Sequence, residues 1–352
     1  MKILVVGSGS CEHAVIEALR RSDMCEAVYC APGNGGIVRS AECVDIPSKD
    51  TDALVRFASE NGIAFTFSCS HVPLQNDIAA KFEANGLKIL APYAETVRSL
   101  VHGDRVRALC EDAGIAFDPS AKGPVHRFVC IADGTNILPF PQVISYDTLF
   151  DNNEGPSCDS MGALCGPGMP GIPRDRLMNE IVKPLAKAIR KNGIVLSGLV
   201  CIRVGADGGK LFFRGFDMHI PGAQMAVILE RMESDFLRLM LAASDGMLAA
   251  STVSYSKNCA VSVVVICSQR VTEPQKLDLP SQSGLRIYHS STSLTGEELY
   301  TSGRKIVCLC AGARKPADAR KAVYEAVGKI SFPGMYFRSD IARDVLVDLK
   351  KQ

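Results

Sequence analysis

The opening residues, MKILVVGSGSCEH, restrict the fold more than any other part of this chain. KILVVG (2–7) is apolar without alternation, the pattern of a strand covered on both faces. Glycine ends it, and a helix is predicted from about Glu12 to Arg21. The unit then repeats in kind. A strand at 26–31 (EAVYCA) stops at PGNGG (32–36), and Cys43–Ile46 is extended. A helix is expected at 50–61, a strand at 64–69 (AFTFSC), a helix at 74–85, a strand at 88–90 (KIL) and a helix at about 94–113. Short apolar strands alternating with helices predict a parallel sheet with helices on both sides. This first unit is placed at 1–114.

The pattern then changes. HRFVCIADG (126–134) and NILPFPQVIS (136–145) read as antiparallel strands turning at Asp133–Gly134. Residues 147–172 are rich in Gly, Pro, Asn and Asp and have no clear period, which predicts a long structured loop. A helix at 174–192 is followed by GLVCIRVG (198–205) and KLFFRGFDM (210–218). These flank ADGG, a strong hairpin signal. A helix at 224–244 closes a second unit, 115–250. Strands at 258–268, 285–292 and 304–313, with helices at 316–329 and 339–348, make a small third unit of mixed strands and helices, 251–352.

With 352 residues the chain can bury two or three real cores. It carries 39 basic and 38 acidic residues, without a basic block, so nucleic acid is not an expected partner. Nothing reaches membrane-spanning length, and MKILVVG is broken too soon by glycine for a signal peptide. A cytoplasmic setting is expected. The 14 cysteines are scattered through apolar segments and read as free, mostly buried thiols. Cys308 and Cys310 share one strand face. No second ligand pair lies nearby, so no metal site is expected.

Two glycine-rich loops carry the first candidates. Gly7, Ser8, Gly9 and Ser10 place backbone amides at a helix start, a geometry that suits an anion. A strict GxGxxG is not met, because position 12 is glutamate. A tight turn without a ligand is the other reading. Glu12 and His13 read either as a solvent-facing pair or as sugar-binding groups. Pro32, Gly33, Asn34 and Gly35 form a second loop at a strand's carboxyl end. Ligands of such sheets bind outside that edge, so both loops are expected to rim one cleft.

Several blocks together resemble phosphoribosylamine–glycine ligase, of the ATP-grasp group. GSGSCEHA (7–14) is similar to the family's GNGGREHA, PGNGG (32–36) to PGNAG, and CSHVPLQND (69–77) to GPEAPLVKG. LKILAP (87–92), GPSCDSMGALCG (155–166) and GRKIVCLCAG (303–312) also match family blocks in order. The resemblance implies an α/β fold with a Rossmann-like N-terminal domain, an ATP-grasp domain and a small mixed α+β C-terminal domain. It also implies an ATP-driven ligation through an acyl phosphate.

The departures point elsewhere. Where the family's EFNCRFGDPE supplies Glu and Asn to magnesium, this chain has GFDMHIPGAQ (215–224), with Gly215 and Asp217 in those places and His219 for the family Arg. A nucleotide-contacting Lys is replaced by Asp104. Between Gly114 and Phe128 only IAFDPSAKGPVHR remains, where the family has a whole lid subdomain over the nucleotide. One carboxylate poorly holds the octahedral magnesium of phosphoryl transfer. The ATP-grasp domain is therefore expected to be truncated, with no cofactor and no metal.

What is expected to survive is a cleft for a phosphorylated or amino-acid-like small molecule. Asp217 and His219, two apart on a strand, are candidates for acid–base work. Cys158 is a candidate nucleophile, with Asp159 beside it in the long loop. His71 with Pro73, Arg286, His289 and Arg338 are candidate polar liners. Two functions are carried forward: ATP-independent chemistry in specialised metabolism, or a catalytically inactive homologue that regulates or scaffolds. An active ligase is the third. Residues 138–142 (LPFPQ) are candidates for covering by a second chain, in a homodimer or with another protein.

Overall fold

A computed structural model describes residues 1–68, 70–121, 125–268 and 272–349. Cys69, the last residue of the expected strand 64–69, lies outside the described residues, as do 122–124 in the shortened junction. The alternating pattern at the N-terminus folds as a five-stranded parallel sheet of order β3-β2-β1-β4-β5. Its strands are β1 (Lys2–Gly7), β2 (Ala27–Pro32), β3 (Glu42–Cys43), β4 (Phe65–Ser68) and β5 (Ile89–Leu90). Helix α1 (Ser10–Leu19) follows β1, and α2 (Thr51–Glu60), α3 (His71–Gln75) and α4 (Ile78–Ala84) cover the sheet. The expected helix at 94–113 is broken by extended backbone at His102 into α5 (Ala94–Val101) and α6 (Gly103–Ala113). Gly114, in the left-handed region at φ +68°, ends α6.

Residues 114–125 are all that separate α6 from the next strand, β6 (His126–Asp133). Part of this stretch is tied down: Phe117 bridges to Phe213, and Asp118 N–H donates to the Phe213 carbonyl at 3.0 Å. A dozen or so residues cannot bury a core of their own. The chain passes straight into a second, antiparallel sheet of order β13-β12-β6-β7, with β7 at Ile137–Pro139, β12 at Ser197–Asp207 and β13 at Lys210–Asp217. As the ADGG signal predicts, Asp207 pairs with Lys210. Gly208 and Gly209 both have positive φ, which the tight hairpin requires.

The third sheet departs from the linear division of the chain. Its order is β16-β19-β14-β11-β8, with β20 (Met335–Tyr336) beside β14. β14 (Cys259–Cys267), β16 (Leu285–His289) and β19 (Lys305–Ala313) come from the expected third unit. β8 (Ile144–Ser145) and β11 (Gly162–Cys165) come from inside 115–250. The segment read as a loop thus contains a strand. GALC shows no period because all four residues are buried, so polar residues do not alternate with apolar ones. Around it, β9 (Thr148–Phe150) and β10 (Glu154–Ser157) form a hairpin, and β15 (Lys276–Leu277), β17 (Thr292–Thr295) and β18 (Glu298–Thr301) a small sheet.

Helices α7 (Arg174–Leu177) and α8 (Lys183–Lys191) are joined by a wide turn at 178–182. The expected helix at 224–244 is two, α9 (Gly222–Arg231) and α10 (Phe236–Ser244). Helix α9 is buried along almost its whole length and packs on α1, β11, β14 and β19. Ile3 and Val5 of the first sheet, Val129 and Cys201 of the second, Cys308 of the third and Met225–Leu229 of α9 belong to one continuous core. Helices α11 (Pro316–Val327) and α12 (Arg343–Leu349) complete the fold. The described cysteines are free and mostly buried. No helix among the described residues is long and apolar enough to cross a membrane.

Candidate functional site

The two glycine-rich loops meet, as their positions at strand ends demand. Gly33 N–H donates to the Gly7 carbonyl at 3.2 Å, and Asn34 Nδ2 donates to the Ser8 carbonyl at 2.8 Å. Much of the donor and acceptor capacity there is already used internally. Asn34 Nδ2 also donates to the His289 carbonyl at 3.0 Å, while its Oδ1 accepts from Gly36 and Ile37 N–H at 2.9 Å each. Gly35 N–H donates to the Thr292 carbonyl at 2.8 Å, and Ser10 N–H to Ser290 Oγ at 3.1 Å. The PGNGG loop, with Pro32 at its head, is docked on residues 289–293. A Cβ at Gly35 would lie 2.6 Å from the Ser293 backbone.

Glu12 and His13 are neither solvent-facing nor free for a sugar: both are 4% exposed. Glu12 Oε2 accepts from Gly9 N–H at 2.9 Å and Oε1 from Ser70 Oγ–H at 2.7 Å, so the carboxylate caps α1 from within. This is why Gly7, at φ +141°, has no room for a side chain. Its Cβ would lie 2.5 Å from Ser70 Oγ and 2.7 Å from Glu12. His13 Nδ1 accepts the His289 N–H at 2.9 Å, joining the first sheet's helix to β16. Burial pulls its pKa down to about 4.

The charged centre lies on the second sheet. Strand register sets Arg127, Arg203 and Gly215 side by side across β6, β12 and β13, with Cys201 and Asp217 paired in the next row. Two arginines on neighbouring strands repel unless carboxylates stand between them. Arg127 Nε lies 2.6 Å from Asp147 Oδ2, and its Nη1 donates to Asp217. Arg203 Nε lies 3.2 Å from Asp217 Oδ1, yet that N–H is buried without an acceptor in line. Gly215 has φ +136°, and a Cβ there would lie 2.6 Å from Arg203 Nη2. The guanidinium fills the space beside the position from which a metal-binding side chain would project.

Magnesium therefore does not fit these residues. Position 215 offers no ligand, and Asp217 already faces two guanidinium groups. Among the described residues no group of three or more His, Cys, Asp or Glu is placed to hold an ion.

Beside this row is a second cluster. His219 Nε2 lies 3.2 Å from Asp159 Oδ2, and Lys305 Nζ lies 2.7 Å from the same oxygen. The hydrogen bond to Asp159 raises the His219 pKa against the effect of burial, and the charges of Asp159 and Glu12 add to it. Burial would lift the Asp159 pKa, but His219 and Lys305 outweigh it and hold it low. The pair is about half exposed and can exchange a proton with whatever meets that face. Asp217 and His219 have separate partners, so the acid beside the His219 imidazole is Asp159. Cys158 N–H donates to the Asp147 carbonyl at 2.8 Å, which places this residue between the two clusters. Burial raises the pKa of its thiol despite Lys305, so it is held as a thiol, not an activated thiolate.

Other candidates are elsewhere. His71 is exposed at the first position of α3, next to Ser70. Arg286 faces Glu230 of α9, Nε to Oε2 3.6 Å. Arg338 is fully buried and structural. It grips Asp340 through two hydrogen bonds of 2.7–2.8 Å and also bonds Thr148 and Asn153, pinning the β9–β10 hairpin. Arg127 and Arg203 have no motif around them; the strand register sets them side by side, with Asp147 and Lys305 reaching the same groups from other segments.

Comparison with known proteins agrees with the architecture. Residues 1–98 match the phosphoribosylglycinamide synthetase N domain and residues 268–344 the C domain of the same enzyme. Most of the charged centre, from Arg127 to His219, lies between these spans. Phosphoribosylamine–glycine ligases of Caldanaerobacter subterraneus subsp. tengcongensis and Neisseria meningitidis serogroup B are each 26% identical, over 97% of this chain and 99% of the relative. The first alignment runs over 416 positions, more than this chain's 352 residues, so the relative carries sequence that is absent here. The crystal structure of phosphoribosylamine–glycine ligase from Thermotoga maritima superposes with a TM-score of 0.81 at 18% identity, over 97% of this chain and 100% of that one. The biotin carboxylase domain of Hydrogenobacter thermophilus 2-oxoglutarate carboxylase follows at 0.66 and 13%, over 100% of this chain and 94% of that one. With its Rossmann-like first domain, shortened middle domain and mixed last domain, the chain is a divergent homologue of phosphoribosylamine–glycine ligase, in the ATP-grasp group.

Proposed function

We propose that this chain no longer couples ATP to amide formation and uses the residual cleft for ATP-independent chemistry. The ligand class is a phosphoribosyl, nucleotide-like or amino-acid-derived small molecule, and the setting cytoplasmic. The observation that carries this reading is Gly215 with Arg203 over it: a fixed cation stands beside the place of the metal-binding glutamate. The ligation of the relatives needs charge neutralisation at a transferring phosphoryl group and a cover over the nucleotide. The residues above offer no metal-binding side chain at position 215 and no cover over a nucleotide. His219 and Asp159 serve as the acid–base pair, with Asp217, Cys158 and Lys305 lining the same cleft.

The internal bonding of Glu12, His13 and Asn34 favours a second reading, a catalytically inactive homologue acting as regulator or scaffold. LPFPQ (138–142) lines a mostly apolar hollow of about 550 Å³ with Phe128, Leu177 and Tyr255. It is the surface that a second copy or a partner protein would cover.

The test is thermal melting with separate additions of ATP–magnesium, glycine and ribose 5-phosphate. Binding to the native state alone adds about 2.7 kcal/mol at a hundredfold excess over Kd, a rise of several degrees in Tm. A rise with ribose 5-phosphate or glycine and none with ATP–magnesium is expected. Nucleotide turnover that depends on glycine would show an active ligase and end the proposal. No rise with any of them would leave the second reading.

A further inference from the structure

We propose that Arg203 is the cation this protein supplies where its relatives use a metal, and that its guanidinium receives an oxyanion of the ligand, a carboxylate or a phosphate, without any divalent ion. The proposal rests on the reading above and names how the ligand is held. Arg127 is spent: Asp147 and Asp217 take its Nε and Nη1. Arg203 is not. Its Nε–H is buried without a hydrogen-bond partner although Asp217 Oδ1 is only 3.2 Å away, because that oxygen is off the N–H line.

A buried donor left unmade is costly, and a ligand oxygen that displaces Asp217 Oδ1 from beside it removes the cost. The rest of the side chain is partly open, at 29% exposure. Nη2 sits over Gly215, where any side chain would displace it. Nε and Nη2 form one edge of a planar fork, the geometry that matches two oxygens of a carboxylate or phosphate. Gly215 and Arg203 thus act as a pair: removing the side chain at 215 makes room for the arginine on the adjacent strand.

The experiment titrates wild type, Arg203→Met and Arg203→Lys with inorganic phosphate and, separately, acetate, all in EDTA, following backbone and side-chain NMR shifts. Manganese binding without EDTA is followed by electron paramagnetic resonance. Wild type is expected to bind at least one of the two anions in EDTA. Arg203→Met should weaken it tenfold or more, and Arg203→Lys, which keeps charge and fold but loses the planar fork, should fall between. The preferred anion separates a phosphate from a carboxylate ligand. Equal affinity in wild type and Arg203→Met, no anion binding at all, or manganese binding that Asp217→Asn abolishes would each overturn the proposal. Stabilisation by ribose 5-phosphate that survives Arg203→Met would sink this inference alone. Glycine-dependent ATP turnover would sink the earlier reading instead.

Discussion

Acidification from pH 7 to pH 5 should loosen the junction between the first helix and the last sheet, and His13 sets the size of the effect. His13 Nδ1 accepts a hydrogen bond from His289 N–H, so the ring cannot hold a proton there without losing that bond. Burial lowers its pKa to about 4, from 6.5 in the unfolded chain. Above pH 6.5 neither state binds a proton. Between 6.5 and 4 the unfolded chain takes one that the folded chain refuses, so stability falls as the pH falls; below 4 the loss is complete. A tenfold difference in proton affinity between the two states corresponds to about 1.4 kcal/mol, and integrating from pH 7 to pH 5 gives about 2 kcal/mol for His13 alone. His289 acts in the same direction, its pKa lowered to about 3 by burial, then by His13 and Arg39. It lies against His13 and bonds Thr292 Oγ1 at 3.0 Å, so the two effects do not simply add. The chain has no tryptophan, so urea unfolding is best followed by far-ultraviolet circular dichroism. His13→Gln keeps an acceptor for the His289 amide and cannot titrate. Its loss of stability between pH 7 and 5 should be smaller than that of wild type by about 2 kcal/mol. Parallel pH profiles for the two proteins would refute the argument.

Other perturbations test the remaining elements. Asp159→Asn should lower the His219 pKa toward 6.5, read by NMR titration of the ring. In wild type, the stabilisation from that pair is fully present below pH 6.5 and disappears as the pH rises through the raised His219 value. Arg338→Met should cost about 3–5 kcal/mol in a denaturant melt, because it strands Asp340 without its partner in a buried place. Gly36→Ala should cost about 1–3 kcal/mol: a Cβ there would lie 2.0 Å from the His289 ring, although the backbone of Gly36 itself is unstrained.

Much of the candidate site was legible only in outline. Asp217 meets Arg127 and Arg203, His219 meets Asp159, Cys158 bonds Asp147 beside them, and the two glycine loops do meet. Their chemistry differs from the expected one because partners intervene: Asp217 is held by arginines that no motif flags, and His219 takes Asp159. Glu12 and His13 show the limit most clearly. Their spacing places them on the first turn of α1, but whether that turn faces water depends on Ser70 and His289, which are far away in sequence.

Chain order and local pattern by themselves determined the parallel first sheet, the hairpin at Asp207–Lys210 and the short passage from Gly114 to His126. Each of these depends on residues close together along the backbone, or on a simple count of them. Only tertiary structure decided that GALC joins a sheet made mostly by the last third of the chain, and that Arg203 stands over Gly215. The reason is register: which side chains share a volume is fixed by pairing between distant strands, and a shift of one residue would turn every one of these groups to the opposite face.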